Sequence, residues 1–115
     1  MPNLLVAQGD ILIERVADAS GTPINVDPDG AVVLARGEVT GHRHRFVATA
    51  GVVMFRDDGL AQGVAPELYL GHVTVPESGA ALQHEEHRTI NLPAGTYRIR
   101  RQREYDAGAA RVVAD

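Results

Sequence analysis

No stretch of this chain repeats apolar residues at helical spacing (i, i+3, i+4, i+7) for long enough to make an amphipathic helix. Short runs rich in Val, Ile, Leu and Tyr instead alternate with Gly, Pro and Asp clusters every 8–12 residues. That pattern excludes a helical bundle and a βαβ fold, and it predicts an all-β domain. Residues 9–16 ("GDILIERV"), 31–39 ("AVVLARGEV") and 67–75 ("ELYLGHVTV") read as strands. Residues 45–55 read as two short strands around Ala50-Gly51, or as one bent strand. Residues 97–105 alternate well enough for one long strand, entered through a Pro93-Ala94-Gly95 turn, and Val112 and Val113 suit a last short one. Residues 17–30 and 56–66 are the polar loops.

With 115 residues, the chain suits one domain, residues 1–115, and folding would bury roughly 65% of its unfolded surface. Trp is absent and Phe and Tyr are few, so the core must rest on Val, Leu, Ile and Ala. We expect a single small β-barrel or sandwich. Open strand edges and a limited core predict a homo-oligomer. There is no cysteine, which excludes disulfides and thiolate metal sites. The N-terminal residues lack a basic region and a long apolar run, and no apolar run approaches the roughly 20 residues of a membrane helix. No membrane association and a cytoplasmic location are therefore the expectations. The formal net charge of −4 does not favour nucleic acid as a partner.

Four of the five histidines fall in two clusters. In "GHRHRF" (41–46), His42 and His44 are two apart, so a strand projects both imidazoles to one side. In "LQHEEHRTI" (82–90), His84 and His87 are three apart and share a side only if the segment is a turn. Glu86, or Glu85 beside it, would add a carboxylate. His42, His44, His84, His87 and Glu86 are thus the candidate ligands of a divalent transition metal: Zn²⁺, Ni²⁺, Fe²⁺, Mn²⁺ or Cu²⁺. Three protein ligands would leave a position for water or a small-molecule ligand, the arrangement that metal-dependent enzymes use. A solvated polar face would show similar residues. His72 stands alone in a strand and reads as structural.

All eleven cationic side chains are arginine, and Arg98, Arg100, Arg101 and Arg103 are packed into six residues. They could hold an anion. Alternatively they blunt an edge strand, pair with acids such as Glu14, Asp57 or Glu86, or line a subunit interface.

The set "GEVTGHRH", "HEEH" and "LPAGTYRIRRQREY" resembles a group of short uncharacterised bacterial and phage proteins, over most of residues 31–105. Gly37, His42 and His44, followed by "PAGTYR" (93–98), resemble the two motifs of the cupins, which would imply a cupin-like barrel. Ala48 and Thr49 stand where the cupin glutamate falls, and Arg98 stands where its last histidine falls. "GDILIERV", a 14-residue loop and "VVLARGEV" resemble the first third of the small co-chaperonins, which would again imply a small β-barrel.

Overall fold

The computed structural model describes residues 5–37 and 40–102. Among the described residues, nine strands form two layers. The larger layer is a five-stranded antiparallel sheet of order β1-β2-β9-β6-β5. Its strands are β1 (Leu5–Gln8), β2 (Ile11–Val16), β5 (Val53–Phe55), β6 (Tyr69–Val75) and β9 (Gly95–Arg101). The second layer consists of two hairpins, β3 (Val32–Arg36) with β4 (Arg43–Phe46), and β7 (Ala80–Leu82) with β8 (Ile90–Leu92). An antiparallel bridge links the hairpins: Arg45 N donates to Gln83 O at 2.9 Å, and Gln83 N donates to Arg45 O at 2.8 Å.

The layers do not close into a continuous barrel, so the fold is a small sandwich-like one. Ile11, Ile13, Val73, Tyr97 and Ile99 from the large sheet meet Leu34, Phe46, Leu82 and Leu92 from the hairpins in one core. Each such side chain contributes about 1.5–3 kcal/mol on leaving water. Tyr97 keeps its hydroxyl satisfied by donating to Pro93 O at 2.6 Å.

Two local features bear on the site. β1 and β2 join through Gly9-Asp10 with Gln8 opposite Ile11. Glycine at the first central position of a two-residue loop is the type II′ pattern, and Gly9 has φ +56°. In β4 the side chains alternate, Arg43 and Arg45 outward, His44 and Phe46 buried. His44 is therefore drawn inward by the same pleat that buries Phe46.

The structure corrects several expectations. β1 and β7 are strands that the sequence pattern did not show. The strand expected over 97–105 runs over Gly95–Arg101, and Arg103, Tyr105, Val112 and Val113 lie outside the described residues. Between β4 and β5 the chain makes a single 3-10 turn, Ala48–Ala50, which settles the 45–55 region as two strands.

Candidate metal centre

The Arg45–Gln83 bridge brings the two histidine clusters together. Gln83 lies opposite Arg45, so the residue after it, His84, is delivered beside His44 at the end of the second layer. His84 then shapes its own segment. Its Nδ1 accepts from Glu86 N at 3.0 Å and from His87 N at 3.3 Å. This side-chain-capped turn puts His84 and His87 on one side, the condition that the spacing required. Ring centroids lie 4.4 Å apart for His44 and His84, 4.5 Å for His84 and His87, and 5.7 Å for His42 and His84. His44 and His87 are nearly parallel at 6.0 Å. All four imidazoles of the two clusters thus meet within one chain.

The carboxylates divide their roles. Glu86 Oε1 sits 2.7 Å from His42 Nδ1 but out of line for a hydrogen bond, so this buried ring nitrogen has no aligned partner. Glu85 Oε1 accepts from Arg43 N at 2.8 Å and lies 3.5 Å from Arg45 Nη1. It is Glu85, rather than Glu86, that joins His42 and His84 in a group whose ligand atoms all lie within 4.8 Å of one another. A divalent ion with metal–ligand distances of about 2.0–2.2 Å would draw two imidazoles and a carboxylate at this spacing closer together.

Electrostatics favours the ligating forms. Burial pushes the His84 pKa below its ordinary value, and the neighbouring His44 and His87 push in the same direction. The Arg43 backbone N–H holds the Glu85 carboxyl below its ordinary range. Neutral imidazole and ionised carboxylate are the forms that bind metal.

Around this group stand residues that the sequence did not mark. Gln8, fully buried, bonds His44 Nδ1 through Oε1 at 2.8 Å. Asp10 Oδ1 lies 3.5 Å from His44 Nε2, and Asp10 Oδ2 accepts from Arg101 at 2.6 Å. His44 first, and then the Arg101 charge, hold the Asp10 pKa down at about 2. The His87 ring lies over Gly9, where a Cβ would come within 2.5 Å of Nε2. A polar residue at the inward position of an otherwise apolar "LVAQ" strand was the one visible sign of Gln8.

The arginine strand is largely paired. Arg98 is bonded to Glu14 and donates to Gln62 O at 2.8 Å, Arg101 is bonded to Asp10, and Arg100 Nη1 reaches Arg101 O at 3.4 Å. His72 is buried in β6, with Nδ1 2.6 Å from the Tyr69 hydroxyl and the ring stacked on Phe55. Among the described residues no helix is long and apolar enough to cross a membrane.

With this geometry in view, comparison with known families places residues 7–102, and so the whole histidine site, in a family described as a domain of unknown function, DUF8820. The chain belongs to this family. No curated protein and no solved structure matches it. The cupin and co-chaperonin likenesses find no counterpart among the matching families, and the likeness to uncharacterised proteins is the one that stands.

Proposed function

We propose that this protein binds a divalent transition metal at the histidine end of the sandwich. His42, His84 and Glu85 are the primary ligands, with His44 and His87 against them and Glu86 beside His42. The observation that carries this reading is the meeting of two histidine pairs far apart in the sequence, with ligand atoms from three side chains inside 4.8 Å. The lowered pKa values of His84 and Glu85 support it, because both groups are held in their metal-binding forms. Imidazole and carboxylate donors suit Zn²⁺, Ni²⁺, Fe²⁺, Mn²⁺ and Cu²⁺. A three-ligand set leaves a coordination position for water or a small molecule, which is the chemistry the site offers to a substrate. The engagement of Arg98 with Glu14, and of Arg101 with Asp10, favours structural pairing over anion binding for the arginine strand.

Elemental analysis of untagged protein purified without chelator, beside a His42→Ala/His84→Ala variant, tests the reading. The expected result is near one metal per chain, absent from the variant. Full metal content in the folded variant, or no uptake by the wild type on titration with Zn²⁺ and Ni²⁺, overturns it.

A further inference from the structure

Glu85 owes its place to the register of the bridge between the two hairpins. Arg45 and Gln83 form a bonded pair, each N–H donating to the other's carbonyl, at 2.9 and 2.8 Å. In an antiparallel ladder such bonded pairs recur at every second residue, so Arg43 falls opposite Glu85. Regular pairing stops short of that rung, because Glu85 lies in a bend outside any strand. Its side chain takes the bond that the backbone would have accepted: Oε1 receives Arg43 N–H at 2.8 Å. Glu86 is one position out of this register and stands beside His42 instead.

The same oxygen has a second neighbour. Arg45 is diagonal to Glu85 across the pairing and brings Nη1 to 3.5 Å from Oε1. Its Nη1 also reaches Arg43 O at 3.4 Å, which keeps the guanidinium along the strand. The Arg43 side chain takes no part in this, since it is turned to Asp27 at 2.8 Å and Asp29 at 3.3 Å. Both contacts from β4 therefore fall on Oε1, and Oε2 is the oxygen that neither of them engages. A divalent ion on Oε1 would share that oxygen with a guanidinium, and two cations so close repel each other.

We infer that Glu85 is a one-oxygen ligand of the metal centre, with Oε1 tied to β4 and Oε2 given to the ion, and that Arg45 is the positioning residue that enforces this choice. The inference rests on the metal-binding reading and adds to it the binding mode of the carboxylate and the neighbour that sets it. One oxygen from Glu85 and one ring nitrogen each from His42 and His84 make three donor atoms. A tetrahedral ion then keeps its fourth position for water or a small molecule. No metal contact is assigned to Arg45 itself.

Infrared difference spectra between zinc-loaded and apo protein test this directly. The wild type is expected to show carboxylate bands that vanish in Glu85→Gln. Their asymmetric and symmetric stretches are expected to lie farther apart than those of a free carboxylate, the signature of ligation through one oxygen. In Arg45→Met the separation is expected to narrow, as Oε1 is released to join Oε2 on the ion. Arg45→Lys keeps a charge beside Oε1 and is expected to restore the wide separation. A purely structural arginine would lower the melting temperature of Arg45→Met and leave the separation wide, which would overturn the inference. A wild-type separation at or below that of the free carboxylate overturns it with no need for any arginine variant to fold. Zinc bound by the wild type with no bands lost in Glu85→Gln removes Glu85 from the ligands and the inference with it, and leaves zinc on the histidines. No zinc binding in the wild type removes the metal centre as well.

Discussion

His44 and His72 are both buried, both lie on strands, and both engage Nδ1 with a neutral partner, yet the two regions around them differ. His72 sits on the large sheet between Phe55 and the Tyr69 hydroxyl, opposite Arg98 in the β6–β9 register. Burial first, and then the Arg98 charge, push its pKa down. It is kept as a neutral ring that packs and takes part in one short hydrogen bond. His44 shares its surroundings with His84, His87 and Asp10, and its Nε2 faces other ligand-type atoms. The residue type is the same in the two places. The sign of the neighbouring charge and the company of further donors separate a packing histidine from a candidate ligand.

Removing each ring tests this contrast most strongly. His72→Ala should cost about 3 kcal/mol, the scale for truncating a buried ring, and leave zinc uptake intact. Urea unfolding beside a zinc titration checks both halves, and zinc uptake lost along with stability would break the comparison. His84→Ala should show the reverse, with zinc uptake lost and a stability cost of only about 1 kcal/mol from the two backbone bonds its Nδ1 accepts.

Gly9→Ala introduces a Cβ that would meet the His87 ring at a backbone φ of +56°. It should cost about 1–2 kcal/mol by differential scanning calorimetry and displace the His87 ring, leaving the His72 region unchanged. NMR shifts at Phe55 and Tyr69 that move as much as those at His87 would contradict that locality.

The pH dependence sharpens the same contrast. Because the folded-state pKa of His72 lies below its ordinary 6.5, the unfolded chain binds the proton more readily. The contribution of His72 is thus fully present above pH 6.5 and is lost as pH falls through the depressed folded-state value. The expected outcome is that His72→Gln flattens the fall in stability just below pH 6.5 in chelator-treated protein, as read by urea midpoints. An unchanged slope would show that the Arg98-facing ring does not contribute. Asp10 acts lower on the scale, its contribution fading between its ordinary 3.8 and about 2 as the carboxylate takes up a proton.

The smallest effect belongs to the ion pair on the outer face. Glu14→Gln removes the partner of Arg98, and a pair of this kind, still partly open to solvent, contributes about 1 kcal/mol. A loss well above that in urea unfolding would mean that the pair also holds the loop around Gln62, to whose carbonyl Arg98 donates.

Alternation of apolar residues and glycine-rich turns was enough to read β2, β3, β6 and most of β9, and the all-β class with them. β1 and β7 escaped because "LVAQ" and "AAL" are too short to show a period, and such strands are specified by their partners rather than by intrinsic preference. Strand alternation made a common side for His42 and His44 an expectation, although His42 lies just before β4, and the spacing of His84 and His87 set the condition that they lie in a turn. The rest is non-local. Gln8 reaches His44 across 36 positions and the Leu82 and Arg88 carbonyls across 74 and 80. Periodicity constrains which way a side chain points along its own strand, and it carries no information on which strands become neighbours. The grouping of Glu85, rather than Glu86, with His42 and His84 depends on the Arg45–Gln83 bridge that joins the two hairpins, and the approach of Gln8 and Asp10 to His44 depends on how the β1–β2 hairpin packs against them, neither of which periodicity can specify.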